Sequence, residues 1–282
     1  MKYSTRHLDE SIYIEVAKNY FALRDEWDKK HASEKHLELC MCVAERRRNL
    51  HFSGQSFCAI RAISRLDAFD MRPSCISETT RRLEMIRWKY GKLDPDAEIV
   101  NGLSVVSPIR GIWDLAKDDT CQSLLATIND CLYQKLFTKA KLIESIEKNR
   151  KRHGRKKLEK IVGLATEKCE SALETLAWIL INNGGFVFPK QQLEIYDKQQ
   201  FIGRVDMCWE IGLRKIILEV DGVGKYKDRN VLIAEKNRED KLRELGFEVI
   251  RATWKDAKSG NLVRKLNDQG IPRRRSYKRG II

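Results

Sequence analysis

No two cysteines in this 282-residue chain are spaced as Cys-x-x-Cys, although eight cysteines occur. They stand at positions 40, 42, 58, 75, 121, 131, 169 and 208, and only Cys40 and Cys42 are close together. Zinc needs clustered ligands, so the spacing argues against a structural zinc site. Thiols scattered through apolar surroundings suit a reducing cytoplasm. The opening MKYSTRHLDE lacks the apolar core of a secretory signal. No apolar run approaches about 18 residues, so no membrane span is expected. No internal repeat, low-complexity segment or clear helix-turn-helix signature stands out. The expected location is cytoplasmic.

A hydrophobic fraction of 42% is enough for a packed core, and 33% charged residues is not a disorder signature. The length allows two ordinary domains or one large one. Net charge is +14, with an isoelectric point near 9.4. Such a balance favours a polyanion, most often nucleic acid and less often an acidic membrane surface or partner protein. The plain alternative is a basic protein without such a partner.

Taken in order, residues 1 to about 50 read as helical, with Ile12, Ile14, Val16, Tyr20, Phe21 and Leu23 forming an apolar face. A second helix from about Ser33 ends in Arg46-Arg47-Arg48, which suits either a phosphate or the helix macrodipole. Phe57 to Leu66 reads as another helix. Met71 to Val106 reads as irregular β structure, with strands at Leu83–Trp88 and Glu98–Val100. Ser107-Pro108 opens a helix as cap and first turn. Residues 120–147 are again helical. The run KNRKRHGRKKLEK, Lys148 to Lys160, reads as a cationic linker between halves. It is either a phosphate-contacting surface or simply solvated. A helix from about Glu167 to Asn182 follows, then strands near Phe186–Phe188 and Leu193–Tyr196. Helices at Ala234–Leu245 and Asn261–Leu266 flank a strand at Phe247–Trp254. The segment Arg273–Arg279 is a basic tail, expected to be mobile.

The chemistry centres on Phe201 to Asp228. Two runs there have strand character, Arg204–Trp209 and Lys215–Asp221, and each carries acids where Val or Ile would be usual. Residues two apart share a strand face, so Glu219 and Asp221 project together. If the runs pair through the turn at Glu210–Leu213, Asp206 joins them. Three carboxylates that close repel unless a cation lies between them, and hard oxygen donors suit Mg²⁺ or Mn²⁺. Glu174 lies beside the apolar stripe of its helix, either aimed at the adjacent sheet or solvated. Phosphodiester hydrolysis needs a metal to acidify water and shield the phosphate, and it gains from a nearby cation. Lys225, Lys227, Arg238 and Arg243 are near enough in sequence to supply one.

Ser171-Ala172-Leu173-Glu174, Arg204-Val205-Asp206, Leu218-Glu219-Val220-Asp221-Gly222 and Glu235 to Trp254 together resemble the very-short-patch-repair-like branch of the PD-(D/E)XK nuclease superfamily. Within that branch they resemble the nuclease-like domain at the C-terminus of AbiEi-type antitoxin and abortive-infection proteins. Phe52–Ser56, Gly102–Arg110 and Asp114–Ala116 look like the middle region of the same proteins, so the similarity spans about residues 40–265. The resemblance implies a restriction-endonuclease-like C-terminal α/β domain at 160–270. A mainly helical α+β region at 1–150 would precede it and a basic tail at 271–282 would follow. It implies Glu174, Asp206, Glu219, Asp221 and Lys225 as catalytic residues, with metal on Asp206, Glu219 and Asp221. Gln192 resembles a glutamine of the preceding strand; Gln192, Arg204, Lys227, Arg238 and Arg243 would face nucleic acid. The sequence departs from the pattern at Val205, where the motif has proline, and at Asp221, which occupies the lysine position. Lys225 stands where relatives often have histidine, and the usual winged-helix start is not recognisable in residues 1–40.

The expected function is a Mg²⁺- or Mn²⁺-dependent DNA endonuclease in a phage-defence or toxin–antitoxin setting. The alternative is a non-catalytic nuclease-fold antitoxin or regulator that binds DNA, with a cognate toxin as possible partner. An interaction protein with an acidic partner is a third reading.

Overall fold

A computed structural model of the chain describes residues 2–3, 9–78, 86–221 and 229–275. The N-terminal part comprises β1 (Lys2–Tyr3), β2 (Tyr13–Ala17), β3 (Tyr20–Leu23), α1 (Arg24–Lys29) and α2 (Ala32–Arg46). Its three strands form an antiparallel sheet in the order β1-β3-β2. The expected helix over this stretch is therefore a hairpin. The reason is visible in the spacing: Ile12, Ile14 and Val16 recur every two residues, a strand period that was read as a helical one. Asn19 makes the turn in a left-handed conformation (φ 62°), and its amide donates to Glu15 Oε1 at 2.7 Å. The second expected helix is α2, started by a capping box between His31 and Glu34.

The middle part holds β4 (His51–Phe52), α3 (Gln55–Ile60), β5 (Ser74–Ser77), β6 (Arg87–Tyr90), β7 (Glu98–Val100) and β8 (Leu103–Val105). Helices α4 (Pro108–Asp118), α5 (Cys121–Tyr133), α6 (Lys139–Lys148) and α7 (Arg155–Val162) follow. The sheet order is β6-β5-β4-β8-β7, with parallel pairs β5–β6 and β4–β8. The helix expected to reach Leu66 stops at Ile60, where Ala62 turns left-handed (φ 53°) and Ser64 N–H bonds Asp130 Oδ2 at 2.6 Å. The strand expected at Leu83–Trp88 begins at Arg87; residues 83–85 lie outside the described residues. Pro108 opens α4 as anticipated, while the Ser107 amide and hydroxyl both donate to Asp94 Oδ2 at 2.8 and 2.7 Å.

The cationic run is not a linker. Its second half is α7, whose Leu158 and Ile161, three apart on one face, are fully buried in the core built around Phe52, Phe57 and Trp113. The charges hid this two-residue apolar stripe. Ile179 of the next helix belongs to the same core.

The last part contains α8 (Ala172–Asn183), β9 (Lys190–Asp197), β10 (Gln200–Ile211), β11 (Arg214–Asp221), α9 (Arg229–Glu244), β12 (Phe247–Thr253), α10 (Trp254–Ser259) and α11 (Asn261–Asp268). The sheet order is β12-β11-β10-β9. β9, β10 and β11 are antiparallel neighbours, and β11–α9–β12 makes a parallel pair. Gly212 (φ 60°) closes the hairpin where Ile211 faces Arg214. Leu173 and Leu176 of α8, with Leu262 and Leu266 of α11, cover the face carrying Met207, Trp209, Ile216 and Leu218. Leu242 of α9 covers Val205, Cys208 and Ile217 on the other face. The result is a three-layer helix–sheet–helix sandwich. Phe186 makes only an isolated bridge to Arg273, so the strand expected at 186–188 is absent. Arg273 and Arg274 are docked, not loose: Arg274 donates to the Asn182 carbonyl at 2.8 Å and Arg273 to the Gly184 carbonyl. Residues 276–282 lie outside the described residues.

The chain is thus a mixed α/β protein. Among the described residues no helix is long and apolar enough to cross a membrane. Seven of the eight cysteines are buried, and burial pushes the Cys40, Cys58 and Cys169 thiols up to about 12, so they stay protonated.

The buried stripe of α7 yields a direct test. Leu158→Ala should destabilise the protein by about 2–5 kcal/mol in urea denaturation. A loss near zero would return the segment to a solvated linker.

Candidate functional site

The middle of β10, the C-terminal end of β11 and the start of α8 meet where the β10–β11 ladder ends. The last paired residues there are Met207 and Leu218, and one step further the same register sets Asp206 against Glu219. The Asp206 carboxylate does not point away. Its Oδ2 accepts the Val220 amide at 2.8 Å, so it lies over the backbone between Glu219 and Asp221. Asp206 is thereby brought beside Glu219, while Asp221 follows on the same strand.

Each has a distinct environment. Glu219 is buried, with 8% of its surface exposed, and its Oε1 accepts from Arg238 Nη1 at 3.2 Å. Arg238 lies across Gly203 of β10: a Cβ on that glycine would stand 3.1 Å from Arg238 Cδ, so a side chain there would push the guanidinium aside. Asp221 Oδ2 accepts from Arg251 Nη1 at 2.8 Å. Arg251, on β12 beside Glu219, also bonds Glu239 at 2.9 Å through Nε. Burial works against its charge, but its bonds to Asp221 and Glu239 hold its pKa above the usual arginine value.

Glu174 enters from the first turn of α8. Ser171 caps that helix, and its hydroxyl donates to Glu174 Oε1 at 2.8 Å. Glu174 Oε2 accepts from the Glu170 amide at 3.0 Å and from Gln192 Nε2 at 3.1 Å. Gln192 reaches it because the backbone turns left-handed within β9 (φ 52°), which breaks the strand's alternation. Glu174 is therefore a buried helix-start carboxylate, not a solvated one.

The electrostatics link these groups. Burial pushes the Glu219 carboxyl up to about 7, and repulsion from Asp206 adds to the rise. Burial likewise lifts Glu174 to about 7; the Glu170 amide opposes the shift and Asp206 reinforces it. Asp206 is thus the charge both glutamates feel, the pattern of carboxylates sharing one confined space. As a donor set, Asp206 and Glu219 offer hard oxygens. Among the described residues, however, no group of three His, Cys, Asp or Glu is arranged to hold a metal ion.

The remaining residues singled out from sequence divide in their placement. Arg204 pairs with Glu170 at 2.8 Å, beside the start of α8. Arg243 pairs at 2.7 Å with Glu239, the carboxylate that also holds Arg251, and lines the β12-side surface with Arg251, so it bonds none of the three acids itself. Lys225 and Lys227 lie outside the described residues. Arg251 was missed by sequence reasoning; the signal available was a single charge inside the apolar run Val249-Ile250-Arg251-Ala252.

No family model matches the chain, and no solved structure matches it. It is similar to the uncharacterized proteins MT2308 and Rv2248 of Mycobacterium tuberculosis, strains CDC 1551 / Oshkosh and ATCC 25618 / H37Rv. Each is 22% identical over 151 residues, which is 54% of this chain and 55% of the relative. The chain spans about half the length of the curated relatives it matches.

The raised carboxyls carry a pH prediction. Glu219 is uncharged in the fold below about 7 but ionises at an ordinary value once unfolded. Its contribution therefore falls as pH rises from about 4.5 to 7 and levels off above. Burial lowers the His36 and His51 pKa values, which acts with the opposite sign in an overlapping window. The measurement is accordingly a difference: relative to wild type, Glu219→Gln should gain stability between pH 5 and pH 8. A pH-independent difference in denaturant midpoint would show that Glu219 is not raised.

Proposed function

We propose that the C-terminal sandwich is a restriction-endonuclease-like domain of the PD-(D/E)XK kind. In this reading it hydrolyses phosphodiester bonds in DNA with a divalent metal. The observation that carries the reading is the Asp206 carboxylate seated on the Val220 amide, among Glu219, Asp221 and the helix-start Glu174. The sheet order β12-β11-β10-β9, with acids on an antiparallel hairpin and a helix layer on each face, supports it. So do the AbiEi-type motifs upstream.

The donor chemistry fits Mg²⁺ or Mn²⁺. Such ions keep several waters and are held by one or two carboxylates plus substrate phosphate, so a cage of three acids is not required. Asp206 and Glu219 would hold the ion, with Asp221 joining where Arg251 yields it. When bound, the metal would lower the pKa of a water and shield the phosphate. The chain's own groups do the rest. Arg238 offers positive charge beside Glu219 for a phosphate oxygen. Glu219, whose carboxyl is raised to about 7 by burial, would give up its proton on taking the ion, so metal binding should strengthen as pH rises through that value. Glu174, held through both oxygens, positions the start of α8 and Gln192 against the hairpin.

One observation favours the second reading, a nuclease fold that binds DNA without cutting it as an antitoxin or regulator. Arg238 and Arg251 already neutralise Glu219 and Asp221 from within the chain. Fold alone does not decide between the two.

Cleavage of supercoiled plasmid with Mg²⁺ or Mn²⁺ tests the first reading. Asp206→Ala should lower the rate on the order of 100-fold or more. In parallel, Mn²⁺ at pH 8 should raise the wild-type melting temperature and leave that of Asp206→Ala unmoved. Equal cleavage by both proteins would remove Asp206 as an essential ligand. Sequence-specific retardation of promoter DNA with no cleavage in any divalent metal would establish the second reading instead.

A further inference from the structure

The cationic run from Arg150 to Lys157 forms one wall of an open groove of about 440 Å³, with Ala116 and Lys117 at the end of α4 on the other side. No carboxylate lines it. Lys117, Arg150, Lys151, His153 and Lys156 are exposed there, and among the described residues their side chains make no hydrogen bond or ion pair. An ordinary basic surface is laced with acids, and this protein shows that habit elsewhere. Lys148 is bonded to Glu144, Lys190 to Glu210 and Arg214 to Glu248.

The segment is also held rigidly. Arg152 stacks over Trp113 at 4.7 Å and lies 3.9 Å from Asp114, so it anchors the loop instead of facing the groove alone. Lys157 donates to the Asp119 carbonyl, Arg155 pairs with Glu159 at 2.6 Å, and Asn149 Nδ2 bonds the Ser145 carbonyl at 2.8 Å. Gly154 turns left-handed (φ 92°) against α4; a Cβ there would come within 2.8 Å of Ala116 Cβ. Anchored cations flank unpaired ones on a fixed backbone.

We infer that this groove binds the phosphate backbone of duplex DNA. Unpaired cations carried on an anchored backbone match regularly spaced phosphates on a stiff partner. Single strands are usually gripped by stacking on exposed aromatics, and the groove offers none, Trp113 being fully buried. The inference shares the DNA partner of the proposed function but concerns binding alone. It holds equally for a nuclease and for a non-cutting DNA binder.

The test uses the full chain and a fluorescent 30-base-pair duplex of arbitrary sequence, titrated across a range of salt concentrations. The triple variant Arg150→Gln/Lys151→Gln/Lys156→Gln should bind at least about tenfold more weakly, and its log–log salt slope should fall by about 2–3. A control, Lys18→Gln/Lys29→Gln/Lys92→Gln, removes the same charge from exposed sites elsewhere and should change the slope by less than about 1. Unchanged binding by the first variant, or an equal loss in both, overturns the inference. So does a loss confined to single-stranded DNA. Because Asp206→Ala leaves the groove intact, its retained binding with lost cleavage separates failure at the acid site from failure here.

Discussion

A single hydrogen bond, from the Val220 amide to the Asp206 carboxylate, fixes the end of the β10–β11 hairpin at the point where main-chain pairing stops. Without it that amide would need another acceptor in a half-buried position. With it, a third negative charge is locked beside Glu219 and within reach of Glu174. The cost appears in the two glutamates, both of whose carboxyls are raised to about 7. Carrying the repulsion makes sense if a cation or a phosphate-bound ion relieves it.

Much of the C-terminal sandwich was legible because its signals were local. The alternation in Arg204–Trp209 and Lys215–Asp221, and Gly212 between them, fix a hairpin and put Glu219 and Asp221 on one side. Ser171 ahead of Glu174 marks the start of α8. What sequence alone did not reveal was which charges cancel. Arg251 is far from Asp221 along the chain and meets it only because β12 pairs in parallel with β11. Likewise Arg243 looked as close to the acids as Arg238, but the two point from different sides of α9, and only Arg238 crosses Gly203.

The N-terminal half was harder to read because its periods are short and mixed. Three apolar residues every two positions form one edge of a hairpin, and a helix pattern can be fitted over the same stretch. The basic run misled in the other direction. Lysine and arginine dominate its composition, and only Leu158 and Ile161 disclose that it is folded. Composition described the surface of α7 correctly and said little about its buried side.

Helix α8 has a place in two hydrophobic clusters, the middle core and the inner face of the sandwich. Leu173 and Leu176 face the sandwich, Ile179 faces the middle core, and Thr175 accepts at 3.1 Å from Asn129 of α5. Asn129 in turn accepts the Thr166 amide at 2.9 Å. A fragment starting near residue 160 would therefore carry one wall of another unit's interior exposed to water, and the remainder would lack that wall. Helix α8 is thus a structural member of both parts of the chain.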